Sequence, residues 1–398
     1  MNSFDRRRVL RLGGGFGALA LLAGCDTTGL GFASLADVTA QMGMGSSNAA
    51  GKSFGTGPVK VFLLLPLSGD ASLSRIGISM ANAAQLAMDY VTGTAKIGDN
   101  ITLSILDTGA TPEGATGAAK AAVAGGAKLI LGPLRGDQVE AAGAVAKAAN
   151  IPVIGFSNNP SAAAPGVYLL SVLPDAEIHR SLGYAIAQRH TSLAAVFPST
   201  DFGRAQRMAF DTVSANLGVK ARQSFSFADA NDQRRIATEV GGHVSVGNMD
   251  AIFLPDRVSA PAFASLLQRV IPAGKALIIG SADWDNDPAI LSSSFLAGAV
   301  YPAVDDSGLK ALEPDYNAKF GGKPHPLATI AYTAVVLANA KPLALGHPPY
   351  GAGLLTSPGG FSGRDGVFRF LPDGRSEYAL VIKKVAPGGA VVVDGARL

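Results

Sequence analysis

Cysteine is almost missing from this chain of 398 residues, which holds one, Cys25. No intramolecular disulfide can form, so stability has to come from burial. The same scarcity leaves no thiolates for a zinc site, and His179, His190, His243, His325 and His347 show no HxxxH or HxH spacing. Charge is thin as well, at 16% of residues. The formal net charge of +3 resides in residues 1–24, with four arginines and one aspartate, and the remainder carries 29 basic and 29 acidic residues. Without an overall basic field, nucleic acid is not an expected partner. No Gly-x-Ser-x-Gly elbow occurs. Gly51-Lys52-Ser53 is no phosphate loop, because Gly45 lies one residue too far upstream and no strand precedes it. No nucleophile, base and orienting group can be named together, so catalytic residues, metals and cofactors are expected to be none.

What is present begins at the amino terminus. Arg6, Arg7, Arg8 and Arg11 precede an apolar stretch over 12–23, which ends Leu21-Leu22-Ala23-Gly24-Cys25. This is the layout of a secretory signal peptide over 1–24, too short to remain as a bilayer span. Gly13-Gly14-Gly15-Phe16-Gly17 falls inside it and cannot serve as a dinucleotide loop. Leu22-Ala23-Gly24-Cys25 resembles the bacterial lipobox, which implies that Cys25 becomes the first mature residue and anchors the protein by an acyl chain on the periplasmic side. The bland alternative is a buried free thiol. Arg6 to Arg11 also looks like a twin-arginine signal with one arginine too many, so both export routes stay open, as do the inner and outer membranes. Residues 25–57 are rich in Gly, Ser, Ala, Thr and Met without periodicity, and read as a flexible tether reaching on the order of 30 Å.

From residue 59 short apolar runs alternate with amphipathic segments. Residues 59–66 (VKVFLLLP) read as a strand covered on both faces. Over 75–91, Ile76, Met80, Ala83, Ala84, Ala87 and Val91 share one helical face. Further strands are expected at 101–107, 128–132, 151–156 and 168–172, with helices from Pro112 and over 136–150. The rhythm then restarts with a helix from Pro174, a strand at 193–198, a helix at 201–217, and strands at 219–227, 250–255 and 276–280. Repeated βα units imply parallel sheets with helices on both faces. About 340 residues exceed what one core comfortably holds. The expected class is therefore α/β, with two doubly wound parallel-sheet lobes. A helix at 326–342 follows. Then 367–371, the turn Pro372-Asp373-Gly374-Arg375 and 378–385 read as one antiparallel hairpin, with a last strand at 390–394.

Four stretches carry a family likeness. They are 59–69 (VKVFLLLPLSG); Leu131-Gly132-Pro133-Leu134 with 151–160 (IPVIGFSNNP); 198–204 with Phe202-Gly203 where Tyr-Gly is common; and 363–385. Together they resemble the type 1 periplasmic binding fold, in particular the leucine-binding, branched-chain amino acid receptor family. The resemblance implies three chain crossings that act as a hinge. Lobe one would take 58–172 plus about 300–345, and lobe two 173–299 plus about 346–398. Closure would trap a small polar solute for an ABC-type permease. The chain is also similar to penicillin-binding-protein activator lipoproteins of the same fold, which implies the alternative of regulating peptidoglycan synthesis through protein contacts.

Ligands of open α/β sheets sit beyond the carboxyl ends of strands, near helix N-termini. By the resemblance, backbone amides and hydroxyls in lobe one hold a carboxylate, an acid of lobe two holds an ammonium, and aromatics line the side-chain pocket. Ser68, Ser157 and Asn158 occupy the loops of lobe one, and Phe202, Asp283 and Trp284 those of lobe two. Arg135 departs from the pattern, standing where small hydroxyl residues are usual. It either recognises an anionic group of the ligand or pairs with Asp137 or Asp70. Asp283 is the candidate ammonium partner. Trp284, the sole tryptophan, lines the cleft or fills a core or lobe interface.

Overall fold

The computed structural model describes residues 51–94 and 97–398. The signal segment, Cys25 and the tether as far as residue 50 lie outside the described residues. Lobe one is built from β1 (Ser53–Phe54), β2 (Val59–Leu65), α1 (Ala71–Gly93), β3 (Ile101–Asp107), α2 (Pro112–Ala124), β4 (Leu129–Leu131), α3 (Gly136–Ala148), β5 (Val153–Gly155) and β6 (Val167–Leu169). The sheet order is β1-β3-β2-β4-β5-β6. Pairing is parallel except for β1, which runs antiparallel to β3. That small strand corrects the tether expected to run to residue 57. Gly51 and Lys52 exchange backbone bonds with Ile105 at 2.8 and 3.0 Å, and Ser53 meets the Ser104 hydroxyl at 2.7 Å. An open sheet edge offers partners that a composition argument cannot see.

Alternation along β2 divides the lobe into two cores. Val61, Leu63 and Leu65 face Met80 and Ala84 of α1, while Phe62 and Leu64 face alanines of α2 and α3. α1 begins four residues before the expected stretch because Asp70 caps it, accepting from Leu73 N at 2.7 Å.

Lobe two contains α4 (Pro174–Ala187), β7 (Ser192–Pro198), α5 (Asp201–Asn216), β8 (Ala221–Phe227), α6 (Ala230–Ser245), β9 (Ala251–Phe253), α7 (Ala260–Leu267), β10 (Leu277–Ile279) and β11 (Val300–Ala303). The chain then returns to lobe one for α8 (Ser307–Phe320) and α9 (Ala328–Asn339), which pack on α1. β12 (Phe361–Gly363), β13 (Gly366–Phe370) and β14 (Ser376–Tyr378) form a small sheet, and β15 (Leu380–Ala386) and β16 (Gly389–Arg397) end the fold. The second large sheet has the order β16-β15-β11-β10-β9-β7-β8.

Three boundaries differ from expectation. β11 pairs with β10 and β15, so 300–303 belong to lobe two rather than to lobe one. Tyr350, Leu355, Phe368, Phe370 and Tyr378 sink into the lobe-one core beside Leu170 and Ala334, so 346–378 belong there rather than to lobe two. The expected single strand at 378–385 is divided at Ala379, its two halves lying in different sheets. Nothing in the run from Tyr378 to Val385 marks the break, and only the partners available on each side separate the halves. Gly374, in the turn between β13 and β14, ties the small sheet to β6. It has φ +90° and a Cβ there would strike the Val167 carbonyl, while its own carbonyl accepts from Leu169 N at 2.8 Å. The chain therefore crosses between lobes at 170–173, 304–306 and 379. No helix among the described residues is long and apolar enough to span a membrane.

Candidate functional site

The three crossings fix which faces meet. The carboxyl end of β6 leads within five residues to the start of α4, that of β11 within four to α8, and β14 into β15. Glu177, in the first turns of α4, accepts from Ala282 N just beyond β10 at 3.2 Å, so the start of α4 lies at the carboxyl-end rim of the second sheet. The strand-end rims of the two lobes thus adjoin the same hinge, the place where a doubly wound fold puts its ligand.

On the first rim, Asp107 at the end of β3 accepts from Leu67 N (2.8 Å), Ser68 N (3.2 Å) and Gly109 N (2.8 Å). Burial pushes its carboxyl up, but the Ser68 hydroxyl and these amides outweigh burial and hold it below the usual carboxylate range. Ser68 itself is exposed. Arg135 precedes α3 and makes a fork to Asp137, Nε to Oδ1 at 3.1 Å and Nη2 to Oδ2 at 3.0 Å, with its side chain 52% exposed. Of the two alternatives for Arg135, the structure shows the pairing with Asp137. Ser157 Oγ accepts from Asn159 N at 3.0 Å and lies 3.3 Å from where a Cβ on Gly136 would stand. The loops after β4 and β5 therefore touch, bringing Ser157 and Arg135 into one neighbourhood, with Asn158 exposed beside them.

On the second rim, Phe202 is half-buried in the first turn of α5, whose start is capped by Thr200 Oγ1 accepting from Gly203 N at 3.2 Å. Asp283 Oδ1 pairs with Arg257 Nε at 3.2 Å, and Arg257 also bonds Asp287 at 3.3 Å. Burial raises the Asp283 carboxyl above its ordinary value despite the guanidinium. Trp284 does not line the cleft. A 3-10 turn over Ala282–Trp284 swings the indole across Gly280 into the lobe-two core, fully buried beside Tyr301. Its neighbour Asp283 stays at the surface because one residue of such a turn rotates the side chain by about 120°.

Two rim residues escaped the sequence reading. Glu177 is buried, and its carboxyl is pushed up to about 7 by burial, with Ala282 N and Gln206 opposing. Gln138 of α3 is fully buried and donates to the carbonyls of Gly109 and Thr111 at 3.1 and 3.2 Å, tying the loop after β3 to α3. Helix positions alone give no signal for either, since both are spaced like ordinary polar residues. Among the described residues no cluster of His, Cys, Asp and Glu suits a metal ion.

Comparison with known proteins agrees with this geometry. A candidate branched-chain amino acid ABC transporter from Rhodospirillum rubrum superposes with TM-score 0.72 at 20% identity, covering 84% of this chain and 99% of that one. An ABC transporter substrate-binding protein from Desulfitobacterium hafniense in complex with Leu gives 0.61 at 18%, covering 84% and 99%. The C-domain of LpoA from Haemophilus influenzae, a regulator of PBP1A, gives 0.62 at 17%, again covering 84% and 99%. Among curated proteins, none matches the sequence. At such identities the likeness speaks for the fold alone. The family match is of another kind, running from residue 58 to 354 and so through both lobes, and by it this chain belongs to the periplasmic binding protein family.

Proposed function

We propose that this chain is a periplasmic receptor that takes a small zwitterionic, amino-acid-like solute between its lobes and presents it to an ABC-type permease. The observation that supports this most is charge placement. A guanidinium, Arg135, stands on one rim and a carboxylate, Asp283, on the other, each held only by partly exposed ion pairs. Such exposed pairs contribute about 0–1 kcal/mol, so exchanging Asp137 for a ligand carboxylate, and Arg257 for a ligand ammonium, costs little, and closure strengthens the new contacts by excluding water. Ser68, Ser157 and Asn158 supply short polar contacts, and Phe202 an apolar wall. An acyl chain on Cys25 would hold the receptor at the membrane, and mass spectrometry of the exported protein tests that part. For the ligand, calorimetry with an amino acid and small-peptide panel should show saturable binding with a negative heat-capacity change. Arg135→Ala should weaken it at least about tenfold. Silence across the whole panel would remove this reading.

A second reading has its own support. Both charged groups nominated for the ligand already have partners in the chain, and Trp284 is sealed in the core, as suits a regulator that needs no solute. The LpoA C-domain, a regulator of PBP1A, is an example of such a role on this fold. Under this reading the titrations stay silent, while a penicillin-binding protein is captured by the purified chain.

A further inference from the structure

Beside the hinge, where α4 and β16 of lobe two meet the β13–β14 hairpin of lobe one, lies a cavity of ≈ 560 Å³ lined by none of the residues assigned to the cleft. It exists because α4 covers β11 and β15, while β16 carries the sheet on beyond that helix. The volume falls within the range of small-molecule sites, about 300–1,000 Å³.

One wall residue is out of keeping with its helix. Gly183 sits inside α4, where glycine costs about 1 kcal/mol relative to alanine. No close packing demands it, since a Cβ there would meet no atom within 4 Å. Its effect is to leave the cavity unfilled along one turn. Ala176 and Ala187 continue the same small-residue strip, and Leu173, Tyr184 and Leu371 supply apolar surface.

The polar part of the wall is rich in guanidinium donors. Arg180, Arg369, Arg375 and Arg397 line it against three carboxylates, Asp175, Glu377 and Asp394. Asp394 is shared, lying 2.8 Å from Arg180 and 2.7 Å from Arg397. Arg375 reaches Asp175 at 2.9 Å and Asp373 outside the wall at 2.8 Å, and Arg369 pairs with Glu377. Four guanidiniums carry about twenty N–H donors, of which seven hydrogen bonds engage only a part.

We propose that this hinge-side cavity is a second binding site, for an organic anion with an apolar or aromatic body. Arginine donors take the anionic group and the strip beside Gly183 takes the body. Because Asp175 and Arg375 come from different lobes, an occupant there touches both sides of the hinge.

The probe is 8-anilinonaphthalene-1-sulfonate, titrated calorimetrically into the mature protein. One saturable site is expected, with the neutral N-phenyl-1-naphthylamine at least about tenfold weaker. Gly183→Leu should reduce sulfonate affinity at least about tenfold while leaving the melting temperature unchanged or higher, since leucine is the better helix former. Arg369→Gln should cost about three- to tenfold, and Arg135→Ala should change nothing, which separates this site from the cleft. If Gly183→Leu folds poorly, Ala176→Leu blocks the same strip. Undiminished binding in a folded blocked variant, equal affinity for the neutral dye, or no saturable binding overturns the proposal.

Discussion

The two rims solve the problem of polar groups at strand ends in opposite ways. On the first, Asp107 collects three backbone amides and Arg135 a nearby carboxylate, so charges remain ionised well beyond neutrality. On the second, burial dominates. Glu177 is pushed up to about 7 and Asp283 is raised even with Arg257 beside it. The difference follows from what covers each group. Asp107 sits among open loop amides, whereas Glu177 projects from α4 against the 282–284 turn, out of water. The first rim therefore keeps its charge across the neutral range, whereas Glu177 on the second titrates within it.

Trp284→Ala should break lobe two most severely, costing about 3–5 kcal/mol in denaturant unfolding. A nearly unchanged stability with lost ligand affinity would instead return the indole to the cleft. Next comes Glu177→Gln. The folded protein holds a proton on Glu177 between the ordinary value of 4.5 and about 7. Its contribution is thus greatest below pH 4.5 and declines as pH rises through 7. Stability curves from pH 4.5 to 8 should lose about 2–3 kcal/mol of slope in the variant. Asp365, pushed up to about 6 by burial, adds a similar decline at lower pH, which Asp365→Asn isolates. Asp107→Ala should cost about 1–3 kcal/mol, with the opposite pH sense: its contribution is present above pH 3.8 and vanishes as acid protonates it. The smallest effect is expected for Arg135→Ala, within about 1 kcal/mol of wild type in thermal unfolding, although the proposed ligand would be released.

Much of the fold was legible because its signals are local. The run VKVFLLLP announces β2, the alanine spacing announces α1 and α2, and Pro174 marks the start of α4. The rim loops followed from strand ends, and Arg135 stood out because its neighbourhood lacks the hydroxyls the family pattern leads one to expect. The failures share a different cause. Tyr378 and Leu380 are equally apolar, yet one pairs with Phe368 and the other lies in the sheet of β11. Asp283 and Trp284 are adjacent, yet one meets solvent and the other the core.

Order of elements, class of fold and the positions of the rim loops were determined by the chain alone, because helix and strand periods repeat every few residues. Which lobe holds 300–303 and 346–378, where the indole goes, how far Glu177 is stripped of water, and the existence of the hinge-side cavity were decided only by tertiary structure. Those outcomes depend on partners far away in sequence, and pairing and desolvation are properties of the surroundings rather than of the residue.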